Sequence, residues 1–195
     1  MASVGHVVVG VIGAEVIRAM RQRARGSNIP AHESTYDRGS RALLFACLSL
    51  LPDADAVAFA LGIPYEHPFG HRGASHSLVF AVAIGLAIFA VTALRKDPQK
   101  LLVSAVAFVV IASHGLLDML TDGGLGVALF WPFDQGRYFF PWQPIPVAPI
   151  GRGLISARGA YVMGVELLFS APLLLAIFVV DYASSTRFRP KDLAR

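Results

Sequence analysis

From Leu78 to Leu94 no residue carries an ionisable side chain, so a helix drawn through this stretch is apolar on every side. Such a helix has no face to offer to water and belongs in a protein core or a lipid bilayer. Four further apolar segments surround it: Val4–Met20, Ala42–Ile63, Leu101–Leu120 and Ala160–Tyr182. A helix needs about 20 predominantly apolar residues to cross the hydrocarbon layer. The third, fourth and fifth segments are expected to meet that requirement. The first two are shorter or carry charge, and are expected to pack inside a bundle around a polar site. Composition chooses the bilayer over a soluble core. Charged residues make up only 15% of the 195-residue chain and hydrophobic ones 55%, whereas a soluble domain carries about 25% charged residues to clothe its surface. The expected fold is therefore all-α, an integral membrane bundle of about five helices. It would be one domain over residues 1–195, with an extended Pro- and aromatic-rich loop at 122–159.

The charges that remain are patterned. Arg18, Arg21, Arg23 and Arg25 close the first segment, Arg95, Lys96 and Lys100 separate the third from the fourth, and Arg187, Arg189, Lys191 and Arg195 follow the fifth. Basic clusters beside apolar segments mark the cytoplasmic side of a membrane protein, and with a net charge of only +4 they give no reason to expect a nucleic-acid partner. Placing these clusters, with Arg38 and Arg41, inside gives five crossings with the N-terminus outside. No cleavable signal peptide is expected, since the first apolar stretch lacks a basic leader and is broken by His6 and Glu15. In the 122–159 loop, Trp131, Tyr138, Phe139, Phe140 and Trp142 suit the headgroup level. Packing of the loop onto the bundle is the alternative.

That arrangement, built without the polar residues, sorts them onto one level. His6 opens the first helix at its outer end, Asp53 and Asp55 lie past the middle of the second, and His71 and His76 precede the third. His114 lies 13 residues after Leu101, about 20 Å along a helix, and Asp118 follows one turn later on the same face. An ionised carboxylate at membrane depth costs several kcal/mol unless compensated, so such residues are rare and functional as a rule. Asp53 and Asp55, one residue apart in an apolar run, repel each other, and a divalent cation offsets both. Pro52 breaks the helix there and lets both turn toward one centre. The alternative is that Leu51-Pro52-Asp53 merely ends a helix in water. With Cys47 the lone cysteine, no thiolate cluster or intrachain disulfide can form. Any ion would rest on imidazole and carboxylate groups, which suit zinc, manganese or iron.

His6, Asp53, His76, His114 and Asp118 are thus the candidate ligands of one or two ions. Asp55 and His71 are candidates for a second-ion ligand or general base. Arg72 is suited either to hold a substrate anion or to brace the aspartates. Glu166, near the outer end of the fifth segment, is a candidate ligand or base, and Glu15 is expected either to reach the site or to pair with an arginine. Ser75 or Ser77 can cap the third helix. His32 and His67, in loops beside Glu33 and Glu66, are left out.

These blocks resemble a known family. His6, Leu51-Pro52-Asp53-Ala54-Asp55, His71-Arg72-Gly73-Ala74-Ser75-His76-Ser77, His114-Gly115-Leu116-Leu117-Asp118 and Trp131-Pro132-Phe133 occur in the order found in the YdjM-like inner-membrane proteins. That family is described by motif as metal-dependent hydrolases. The resemblance implies a bacterial or archaeal membrane protein with a metal centre at the matching positions. A looser likeness, to the soluble zinc-dependent phospholipase C and nuclease group, suggests phosphoester chemistry. A hydrolase would use the cation to lower the pKa of water from about 16 to about 7, and a site at the outer leaflet would favour a membrane lipid or lipid-linked substrate. A metal or proton transporter and a non-catalytic membrane protein are the competing readings. Transporters place their sites at the midplane and often show repeated halves, whereas this chain shows no repeat and its candidate ligands lie toward one side.

Overall fold

A computed structural model of the chain describes residues 4–25, 35–149 and 151–187. The basic tail beyond Arg187, His32 and Glu33 lie outside them. The described residues form five long helices and one short piece: α1 (Val4–Arg25), α2 (Thr35–Leu50), α3 (Val57–Ala60), α4 (Leu78–Leu94), α5 (Lys100–Asp118) and α6 (Ala157–Arg187). A 3-10 turn, Leu51–Ala56, joins α2 to α3. The expected all-α membrane bundle is what the structure shows. Three stretches are long and apolar enough to cross a membrane: Tyr36–Ala60, Lys100–Asp118 and Ala157–Ala176.

Two expectations about these segments need correction. The second apolar segment is long enough to span after all, because α2, the 3-10 turn and α3 run on as one rod of 25 residues. Pro52 does not end the rod: it sits in the first turn of the 3-10 piece, where its fixed φ is compatible with continued helical backbone. The third segment, α4, has only 17 residues and falls short of the usual span. Its start is fixed by Ser77, whose hydroxyl accepts a hydrogen bond from Phe80 N at 3.1 Å. The loop between the last two helices begins and ends three residues earlier than expected, covering 119–156.

Helices α1 and α5 form the centre. α1 packs against α2, α5 and α6, and α5 packs against α1, α2 and α4. Lipid offers no hydrophobic contrast to drive helices together, so membrane bundles rely on close packing through small residues. Gly10 is one such point, since a Cβ there would stand 2.4 Å from the carbonyl oxygen of Phe45 on α2. Ala14, Ile17, Phe45, Ala107 and Val110 complete the core around this contact.

The α1/α5 pair is tied at both ends. At one end His6 faces Asp118. At the other, Arg21 pairs with Asp97 and Gln99 in the turn before α5. Glu15 does not reach the site: it pairs with Arg18 at 2.6 Å and Arg38 at 2.8 Å. The basic end of the bundle is thus the end away from His6 and Asp118.

Since the α1/α2 approach depends on Gly10, Gly10→Val is expected to destabilise the protein by about 1–3 kcal/mol, as overpacking does. A thermal melt in detergent will read this as a lowered midpoint. An unchanged melt would mean that the two helices are not held this closely.

Candidate metal centre

The sequence sets the donors on four different elements. His6 is in the first turn of α1, Asp53 and Asp55 are in the 3-10 turn after α2, and His114 and Asp118 lie one helical turn apart on α5. His71 and Arg72 lie in the turn-rich stretch before a short 3-10 turn, Ala74–His76, that ends on His76. Gly115 allows α5 to press against that turn, because a Cβ at this position would meet the His76 carbonyl oxygen at 2.6 Å.

Four donor atoms converge. Asp53 Oδ1 lies 3.3 Å from His114 Nε2 and 3.6 Å from His76 Nε2. Asp118 Oδ2 lies 3.4 Å from His76 Nε2 and 4.0 Å from His114 Nε2. Donors of these four residues all fall within 4.8 Å of one another. Most of these separations are too long for good hydrogen bonds. They suit a tetrahedral cation better: with bonds of about 2.0–2.1 Å, neighbouring zinc ligands stand about 3.3–3.4 Å apart. His76 Nε2 and His114 Nε2 are buried and make no hydrogen bond among the described residues. A buried polar atom left in this state costs about 1–3 kcal/mol, and a cation between the four donors removes that cost. The residues therefore fit a divalent metal.

The remaining candidates sit around this group in different ways. His6 is stacked on His114 with ring centroids 3.6 Å apart, and its Nε2 faces the other Asp118 oxygen, Oδ1, at 3.4 Å. Both His6 nitrogens are buried without a hydrogen bond among the described residues, and His6 is not one of the four converging donors. Asp55 and His71 are bonded to each other, Oδ1 to Nδ1, at 2.6 Å. Arg72 is buried, with its Nε 3.1 Å from Asp118 Oδ2 and Nη1 donating to Gly123 O at 3.0 Å. That geometry matches the bracing role. Glu166 is wholly buried against α1, where Oε2 accepts from Gly5 N at 3.2 Å, and it is not one of the four converging donors.

Sequence reasoning missed several supports. The Ser49 carbonyl lies 2.6 Å from His114 Nδ1, and no pattern announces a backbone acceptor. Arg137 reaches from the long loop to the carbonyls of His71 at 3.0 Å and Tyr65 at 2.8 Å. Together with Ala128 N bonding Arg72 O and Leu78 N bonding Leu129 O, this docks the loop on the bundle. Phe133 and Trp142 remain exposed on its surface.

Comparison with known proteins identifies the family. The profile of the YdjM inner membrane protein family matches residues 1–187. The chain belongs to that family. It is also 45% identical over 111 residues to inner membrane protein YbcI of Escherichia coli (strain K12), a match covering 55% of this chain and 63% of that protein. The chain thus spans less than two thirds of that relative's length. No solved structure matches. The protein is an inner membrane protein of the YdjM family with a cluster of residues that could hold a metal ion.

In this YdjM-family protein His76 carries the clearest electrostatic signature. Burial by itself pushes its imidazole toward the neutral form, but the carboxylates of Asp118, Asp53 and Asp55 outweigh burial and push its pKa up to about 10. Without a metal ion, His76 itself supplies positive charge to the carboxylates. A group whose pKa is raised on folding stabilises the fold below its unfolded value, about 6.5, and loses that effect as pH rises through the folded value. In chelator, the melting midpoint is therefore expected to fall between about pH 7 and pH 10, and a saturating divalent cation should flatten the dependence. Thermal melts across that range, with and without added zinc, check this. A metal-free midpoint that rises or stays level would contradict it.

Proposed function

We propose that the protein is a membrane-bound metal-dependent hydrolase that cleaves a phosphoester of a lipid or lipid-linked substrate. The observation that carries this reading is the convergence of Asp53, His76, His114 and Asp118 with neither histidine Nε2 hydrogen-bonded among the described residues. When bound there, a divalent ion, zinc being the best fit to mixed imidazole and carboxylate donors, supplies Lewis acidity and lowers the pKa of water to about 7.

The chain's own residues divide the remaining work. Asp53 is the one donor of the four that is not buried, with its side chain 28% exposed, so substrate and water approach on its side. His71, whose ring centroid lies 5.7 Å from that of His76, would serve as the proton acceptor. Arg72 neutralises part of the Asp118 charge. The lipid assignment draws support from the outward faces of α4 and α6, where Val82, Leu86, Leu168 and Phe169 are exposed. Arg18, Arg21, Arg38 and the Arg95–Lys100 turn gather at the end away from the donors. By the positive-inside tendency, the site faces the outer leaflet.

The test is elemental analysis of the purified protein together with phospholipid and phosphodiester cleavage assays, with and without chelator. Bound zinc and chelator-sensitive cleavage are expected, and Asp53→Ala and His114→Ala should each lower the rate about 100-fold or more, the equivalent of several kcal/mol of metal assistance. A metal-free protein, or variants that keep full activity, would overturn the proposal. Metal uptake into proteoliposomes without any cleavage would replace it with transport.

A further inference from the structure

Asp55 was expected to serve as a second-ion ligand or a base, and donors of Asp53, Asp55 and His71 do lie within 4.8 Å of one another. The hydrogen bonds at Asp55 lead elsewhere. Its Oδ1 is 2.6 Å from His71 Nδ1. Its Oδ2 accepts from Arg72 N at 3.0 Å and from the Ser75 hydroxyl at 2.5 Å, and lies 3.0 Å from His76 Nδ1. Each carboxylate oxygen has about two lone-pair sites, so Oδ2 is fully taken by its three neighbours and a second cation there would have to displace one of them. Oδ1 keeps one site, beside the His71 ring.

What those bonds do is visible at His76. Its Nδ1 faces two oxygen acceptors, Asp55 Oδ2 and Ser75 Oγ, each at 3.0 Å. The Ser75 hydroxyl has a single proton, and it is directed to Asp55. Nδ1 therefore carries hydrogen, which leaves the lone pair of the neutral ring on Nε2, the atom that faces Asp53 and Asp118. His114 repeats the arrangement with a different partner: its Nδ1 lies 2.6 Å from the Ser49 carbonyl, which can only accept. Outer partners of this kind fix the tautomer and ring orientation of ligating histidines, and their loss typically weakens metal binding 10–100-fold.

Charge leads to the same answer. Asp53, Asp55 and Asp118 set against Arg72 and one divalent ion give a neutral cluster. A second divalent ion would leave two uncompensated positive charges at the end of an apolar bundle, where unpaired charge is costly.

Resting on the proposed metal centre, we infer that Asp55 is a positioning residue that orients His76 and His71, and that the centre takes one ion per chain. The test is titration of the detergent-solubilised, metal-free full chain with Co²⁺, following stoichiometry, Kd and the d–d absorption bands. The wild-type chain should bind one ion. Asp55→Asn should also bind one ion, with Kd raised about 10–100-fold and with band positions unchanged, since the ligands remain the same. Asp53→Asn should shift the bands. Ser75→Ala, which leaves every ligand and Asp55 itself in place, should bind one ion with a smaller loss of affinity. It keeps the inference testable if Asp55→Asn does not fold, as judged by circular dichroism and gel filtration. Two ions in the wild-type chain, or an unchanged Kd or shifted bands in Asp55→Asn, would overturn the role of Asp55 while leaving the metal centre standing. A wild-type chain that binds no cobalt would overturn both.

Discussion

The carboxylate of Asp118 is about 1% exposed and is held in the interior of the bundle by three groups, from α1 and from the stretch before α4. Arg72 Nε lies 3.1 Å from one oxygen and His76 Nε2 3.4 Å from the same oxygen, while His6 Nε2 faces the other. Burying such a charge is unfavourable unless its partners are well placed. Much of the local architecture follows from placing them. α1 brings His6 to its first turn, and Gly115 lets the His76 turn settle onto α5. The long loop fixes Arg72 from two directions, through Ala128 N to its carbonyl and Gly123 O to its guanidinium. Arg72 takes a left-handed backbone conformation, φ 60°, which non-glycine residues adopt uncommonly. That conformation accompanies a residue held through both backbone groups and its side chain.

The membrane character and the helix order were legible in the chain because both depend on local composition. An apolar run such as Leu78–Leu94 has few other solutions. The convergence of His76, His114, Asp53 and Asp118 was legible for a different reason: consecutive helices that alternate in direction bring the segment ends and turns carrying these residues to one end of the bundle. Depth alone does not say which atoms touch. The sequence could not distinguish Asp53, which joins the four donors, from Asp55, which faces the histidines from behind, because a separation of two residues in a 3-10 turn sends neighbouring carboxylates to different partners. Glu166 shows the same limit. It shares the depth of His6, yet it accepts from the Gly5 amide and is not one of the four converging donors.

Span length was misjudged where local signals conflicted. Pro52 with two aspartates reads as a break, while the structure keeps Tyr36–Ala60 continuous by tightening one turn. The long loop was open between two readings, and the structure shows it docked. Arg137 and the backbone bonds of Ala128 and Leu129 hold it to the bundle, while Phe133 and Trp142 face outward. The contacts that dock it are mostly to carbonyl oxygens, which leave no mark in residue type.

The double tie between α1 and α5 has a structural consequence. His6 with Asp118, and Arg21 with Asp97, lie about 22 Å apart along α1, and the packed core of Ala14, Ile17, Ala107 and Val110 fills the interval. A pair fastened at both ends and filled between resists being prised apart, so α1 and α5 close their side of the cluster. Of the four donors only Asp53 is partly exposed, and the 3-10 turn that carries it is where the cluster meets its surroundings.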